Sequence, residues 1–153
     1  MEPQESLQAP IGKLIFEVSR AFRRRFEDEA RPHDLTLPQW RVLGELARQG
    51  GISQVTLAAA IDTTPMTMSG ILDRMEKRGL IRREQAASDS RAKTVLLTDE
   101  GLELYKTAKA LGVGLYQSAI EGLSPAQLET LVEGLTTIRN NLNDLPIEQK
   151  EIA

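Results

Sequence analysis

Residues 63–101, TTPMTMSGILDRMEKRGLIRREQAASDSRAKTVLLTDEG, decide the fold. Thr64 and Pro65 read as a cap and a first helical turn. A threonine oxygen can accept from free N–H groups there, and the missing N–H of proline costs little. Met68, Ile71, Leu72 and Met75 then recur at helical spacing, and Gly79 stops the helix. Leu80–Gln85 and Lys93–Leu97 read as short strands, joined by a loop that carries Ser88, Asp89, Ser90 and Arg91. A helix able to enter a groove, followed by a basic hairpin able to flank it, is the layout of a winged helix-turn-helix. Double-stranded DNA is therefore the first partner to consider.

The rest of the chain reads as helices around this centre. Residues 11–30 form an amphipathic helix with Ile11, Leu14, Ile15, Val18, Phe22 and Phe26 on one face, ended by Pro32. Arg23, Arg24 and Arg25 lie near its C-terminus, where basic side chains suit the helix dipole. Thr36-Leu37-Pro38-Gln39 has capping-box spacing and opens a helix bearing Trp40, Val42, Leu43 and Leu46, closed by Gly50-Gly51. Ser53 caps a short helix with Val55, Leu57, Ala58 and Ile61 expected to face inward, and Asp62-Thr63 turns into the next. Thr98 caps a long helix to about Ala119, which Gly112 and Gly114 weaken. Ser124–Gln127 is a second capping box, opening a helix that Pro146 ends. The predicted fold class is mainly α with a small β-hairpin wing: a winged helix-turn-helix core flanked by N- and C-terminal dimerisation helices.

Composition narrows the functions. With 153 residues a real core is affordable, and no linker or repeat divides the chain. There is no cysteine and one histidine, His33, so disulfides, thiolate metal sites and histidine-rich metal centres are excluded. No cofactor is expected. The start, MEPQESLQAP, lacks the apolar stretch of a signal peptide, and no apolar run reaches the length of a membrane span. A soluble cytoplasmic protein without a membrane partner is the expectation. The net charge is −3, but residues 64–94 carry +3 and the remainder −6. Positive charge is thus gathered where the helix and ribbon lie, as in a nucleic-acid footprint.

The first helix and the last two each carry an apolar stripe. Those stripes pack either on the chain's own core or against a second copy, and a two-fold homodimer is the commonest way to bury such faces.

The segments LTLPQWRVLGEL (35–46), QVTLAAAID (54–62), ILDRMEKRGLIRR (71–83) and SDSRAKTVLLTDEG (88–101) resemble the MarR family of bacterial transcription regulators, and ASDSRAK resembles its SlyA branch. The likeness spans about residues 10–143. It implies one MarR-like domain over 1–153, with a winged-helix lobe at about 34–98 and dimerisation helices at 10–31 and 99–145. Ser90 stands where the family often has a first wing arginine. Gly70 stands where a larger polar or basic residue is common.

On this reading the helix from Thr64 lies in the major groove. Pro65, Met66, Thr67, Ser69 and Gly70 face the base edges: Thr67 and Ser69 can hydrogen-bond to bases, and Met66 can meet a thymine methyl. Arg74 reaches phosphate, as do Ser53 and Gln54 at the preceding helix start. Lys93 adds charge beside them. Of Arg82 and Arg83 only one can face DNA, because strand side chains alternate. The resemblance implies that Arg91 enters the minor groove while Asp89 holds the loop. It also implies release from DNA by a small aromatic or phenolic ligand, with Trp40 as the nearest positional match and His33, Tyr105 and Tyr116 as further candidates. The other reading is a winged-helix protein–protein module whose basic hairpin docks an acidic partner. An enzyme is disfavoured: no nucleophile–base pair, metal spacing or phosphate-binding glycine loop is present.

Overall fold

The computed structural model of the chain describes the backbone of residues 5–86 and 89–146, and the side chains of that range except at 5, 6, 9, 86 and 89–92. The fold is mostly helical with a small antiparallel sheet. The order is α1 (Glu5–Ala30), a 3-10 turn (Arg31–His33), α2 (Leu37–Gln49), β1 (Ile52–Ser53), α3 (Gln54–Ala60), α4 (Pro65–Lys77), β2 (Ile81–Ala86), β3 (Asp89–Leu97), α5 (Asp99–Ala119) and α6 (Pro125–Asp144). Two compact units divide the chain, Met1–Leu115 and Tyr116–Ala153.

Local chemistry sets the helix starts. Thr36 and Gln39 form the expected capping box on α2, with Thr36 N donating to Gln39 Oε1 at 3.2 Å and Gln39 N to Thr36 Oγ1 at 3.4 Å. Ser124 and Gln127 repeat it on α6. Thr98 Oγ1 accepts from Gly101 N at 3.1 Å and so caps α5. Asp62 takes a left-handed φ of 54° in the α3–α4 turn, and Gly79, at φ 71°, follows the C-cap of α4.

In the first unit the core is aliphatic. Leu43, Leu57, Met68, Leu72, Met75, Ile81, Val42 and Val95 are its largest fully buried side chains, so α2, α3, α4 and the sheet close on one another. The buried residues of α4 are the four expected ones, Met68, Ile71, Leu72 and Met75. Within the winged-helix lobe three features differ from the sequence reading. The sheet has three strands rather than two, in the order β1-β3-β2, because Ile52 pairs with Val95 and Ser53 with Thr94. The second wing strand begins at Asp89, so Asp89, Ser90 and Arg91 lie in β3 and not in a loop; the register shifts between Gln85 and Ala86 to admit the extra residues. Val55, expected inside, is 71% exposed. Leu57, Ala58 and Ile61 hold the inner face of the short α3, and a residue two positions before Leu57 falls on the opposite side.

α1 begins earlier than expected, at Glu5, and runs through Pro10. Only its end is anchored: Phe26 and Ala30 are buried, whereas Leu7, Ile11, Leu14, Ile15, Phe16 and Val18 are exposed. In the second unit α6 buries no residue, and Leu131, Val132, Leu135 and Leu142 are open to solvent. Among the described residues no helix is long and apolar enough to cross a membrane.

Candidate nucleic-acid interface

The front of α4 is held by its own threonines. Thr64 Oγ1 accepts from Thr67 N at 3.1 Å and donates to Thr67 Oγ1 at 2.9 Å. That leaves the Thr67 hydroxyl hydrogen able to reach outward. Pro65, Met66 and Thr67 are exposed, Met66 to 86%, while Ser69 and Gly70 are half-buried. The helical period places Met66, Gly70, Arg74 and Lys77 opposite the buried Met68, Ile71, Leu72 and Met75. Arg74 and Lys77 are exposed. A Cβ added to Gly70 would meet nothing within 4 Å, so a bare strip of backbone lies in the middle of this face. Ser53 caps α3 through Thr56 N at 3.1 Å and shares a 2.7 Å hydrogen bond with Thr56 Oγ1; Ser53 and Gln54 are half-buried beside β1.

The structure separates the two wing arginines. Arg83 Nη2 donates to Asp73 Oδ1 at 2.6 Å and to Glu76 Oε2 at 2.7 Å, and its side chain is 13% exposed. Arg82 points the other way, 60% exposed, with Glu84 at 3.4 Å. Arg83 shares the strand face of buried Ile81, which is what alternation demands. Sequence alone could not choose the phase, because Leu80 and Ile81 are both apolar and both buried. Arg78 is also taken up by the fold: it donates to the backbone carbonyls of Asp34 and His33 and to Gln39 Oε1, joining the end of α4 to the start of α2. Two of the seven basic residues in 64–94, Arg78 and Arg83, therefore hold the fold. Arg74, Lys77, Arg82 and Lys93 remain exposed. Asp89 and Arg91 are placed in β3 by their backbone only, and Ser88 lies outside the described residues.

The Arg83 contacts also act on protonation. Hydrogen bonds from the Arg83 guanidinium hold the Glu76 carboxyl below the ordinary glutamate value of 4.5, against an opposing push from burial. Arg48 and Gln49 do the same for Glu45.

Two of the four candidate ligand residues converge. Trp40 and Tyr105 line a cleft of about 210 Å³ with Arg41, Gly44, Glu45 and Ile61. The Trp40 ring lies 4.7 Å from that of Phe26. Gly112 of α5 backs it so closely that a Cβ there would stand 3.2 Å from Trp40 Cζ2, so this glycine admits the indole as well as weakening the helix. Trp40 Nε1 is buried and, among the described residues, has no hydrogen-bond partner. His33 is exposed in the 3-10 turn, outside that lining, and Tyr116 belongs to the second unit.

Comparison with known proteins agrees with this geometry. Residues 35–93 match the model of the MarR family. The transcriptional regulator HosA of Escherichia coli O157:H7 is 37% identical over 107 residues, which cover 70% of this chain and 79% of HosA. The S. aureus MepR–DNA complex superimposes with a TM-score of 0.79 at 26% identity, over 85% of this chain and 96% of MepR. Bordetella bronchiseptica BpsR, whose DNA binding is regulated by 6-hydroxynicotinic acid, gives a TM-score of 0.76 at 26% identity, over 85% of this chain and 98% of BpsR.

Proposed function

This chain belongs to the MarR family of transcriptional regulators, and from that premise we propose that it binds an operator duplex in the cytoplasm as a homodimer and is released by a small ligand. Residues 34–98 form the DNA-binding lobe, and 10–31 and 99–145 the dimerisation helices. The observation that carries the reading is the exposed face of α4 set beside a basic hairpin. Met66, Thr67 and Gly70 approach base edges in the major groove, and Arg74, Lys77 and Arg82 meet phosphates on either side. Ser53 and Gln54 take up a further phosphate, Ser69 adds a hydroxyl, and Arg91 reaches the minor groove from β3.

The dimer is supported by what one chain leaves uncovered. The apolar side chains of α1 from Leu7 to Val18 and those of α6 from Leu131 to Leu142 are far more exposed than stable faces in water allow. A second copy related by a two-fold axis covers both sets and pairs two α4 helices on a pseudo-palindromic site.

The ligand site is the Trp40–Tyr105 cleft. A flat aromatic acid would stack on Trp40 and pair with Arg41. Such a ligand releases DNA only if it binds the DNA-incompetent arrangement more tightly.

Sedimentation velocity with a fluorescent mixed-sequence duplex tests the reading. Two 17.0 kDa chains per particle and binding that weakens steeply with salt are expected. A monomer, or binding to acidic polypeptide but not to DNA, would favour the protein–protein alternative.

A further inference from the structure

Arg83 has no place in the DNA contacts above, yet among the described residues it is the most heavily bonded cation of the wing. Its backbone N donates to Glu76 Oε1 at 3.2 Å, its Nε to Glu76 Oε2 at 3.2 Å, and its Nη2 to Glu76 Oε2 at 2.7 Å and Asp73 Oδ1 at 2.6 Å. Every one of these bonds ends on α4. One residue of β2 therefore grips two carboxylates a turn apart on the helix that bears Arg74.

The level of the grip matters. β1 supports β3 only at Val95 and Thr94, which pair across the hairpin with Arg83 and Glu84. Beyond that level the wing is two-stranded, and a lone two-stranded ribbon has little stiffness of its own. Ala86 lies three residues past Arg83, roughly 10 Å along the strand. A swing of about ten degrees at the base would move that end by close to 2 Å, enough to break any hydrogen bond made there.

We infer that Arg83 is a positioning residue, locking the wing to the recognition helix so that both reach the duplex as one rigid unit. The inference rests on the DNA-binding reading for its function, but the rigidity itself does not need DNA. The planar guanidinium is essential to the lock, because it serves Asp73 and Glu76 together with fixed geometry, whereas a lysine ammonium acts as a single point.

The chain has no cysteine, so Lys77→Cys and Lys93→Cys give clean spin-label sites on α4 and β3. Labelled protein is diluted into excess unlabelled protein, and the distance distribution is measured without DNA. A narrow distribution in the parent and a clearly broadened one in Arg83→Gln are expected. An unchanged width in a folded variant overturns the lock. In the second arm, affinity and hydroxyl-radical protection are measured on a duplex selected from random sequence. Arg83→Gln should bind about tenfold more weakly, with protection lost at the outer flanks and kept at the centre. Arg83→Lys should recover little, and Asp73→Asn/Glu76→Gln/Arg83→Gln nothing. Full recovery in that triple variant would show that Arg83 merely cancels two acids, and would overturn positioning. If Arg83→Gln does not fold, Arg83→Lys carries both arms: parental width and affinity would sink the inference. Failure of the parent to bind any duplex would overturn the DNA reading alone, and the distance measurement would still decide the lock.

Discussion

The first turn of α5 passes so close to the chain at Leu80 that a Cβ on Gly101 would lie 2.0 Å from the Leu80 carbonyl oxygen. Leu80 sits where α4 gives way to the wing, and its carbonyl also accepts from Thr98 N at 3.1 Å. Three elements meet at this point, and only a glycine leaves room for them.

Gly101→Ala must therefore push α5 off the start of the wing. Overpacking of this kind costs about 1–3 kcal/mol. Urea denaturation should show that loss, and an unchanged midpoint would mean that α5 shifts freely at this contact.

Gly70→Ala is expected to act in the opposite sense on stability. The position is mid-helix and a methyl meets nothing within 4 Å, so the helix should gain about 0.5–1 kcal/mol. If the bare backbone strip is where α4 approaches bases, the same variant binds DNA more weakly. Greater stability with unaltered affinity would remove Gly70 from the interface.

Arg82 and Arg91 should fail differently. Arg82→Ala should weaken binding evenly across sequences and reduce the salt slope by about 1, as for a phosphate contact. Arg91→Ala should cost roughly 1–3 kcal/mol of operator affinity and leave the fold intact. Titrations at several salt concentrations separate the two, and unchanged affinity in either variant would take that residue out of the mechanism.

Glu76 predicts a pH dependence. Its folded pKa lies below the ordinary 4.5, so the stabilisation it supplies is present above that value and is lost as pH falls through the folded one. Denaturation midpoints from pH 6 down to pH 3 should fall less steeply in Glu76→Gln than in the parent. Parallel curves would show that the Arg83 contact does not persist in solution.

The starts of α2, α4 and α6 were legible in the sequence because caps are local chemistry: Thr36 with Gln39, Thr64, and Ser124 with Gln127 each needed only a few neighbouring residues. The buried face of α4 was legible because four apolar residues repeat at one period. β1 was not, since a two-residue strand has no alternation to detect, and it exists only because β3 lies beside it. Val55 misled because an apolar residue in a short helix does not announce its side. The division of labour between Arg82 and Arg83 depended on carboxylates seven and ten residues away on another element, which spacing alone does not connect.

Selection of bound sequences from random duplex DNA tests the proposed dimeric reader most directly. The account predicts a pseudo-palindrome with half-sites about one helical turn, ~34 Å, apart. Enrichment of an asymmetric single site, or of no sequence at all, would contradict it.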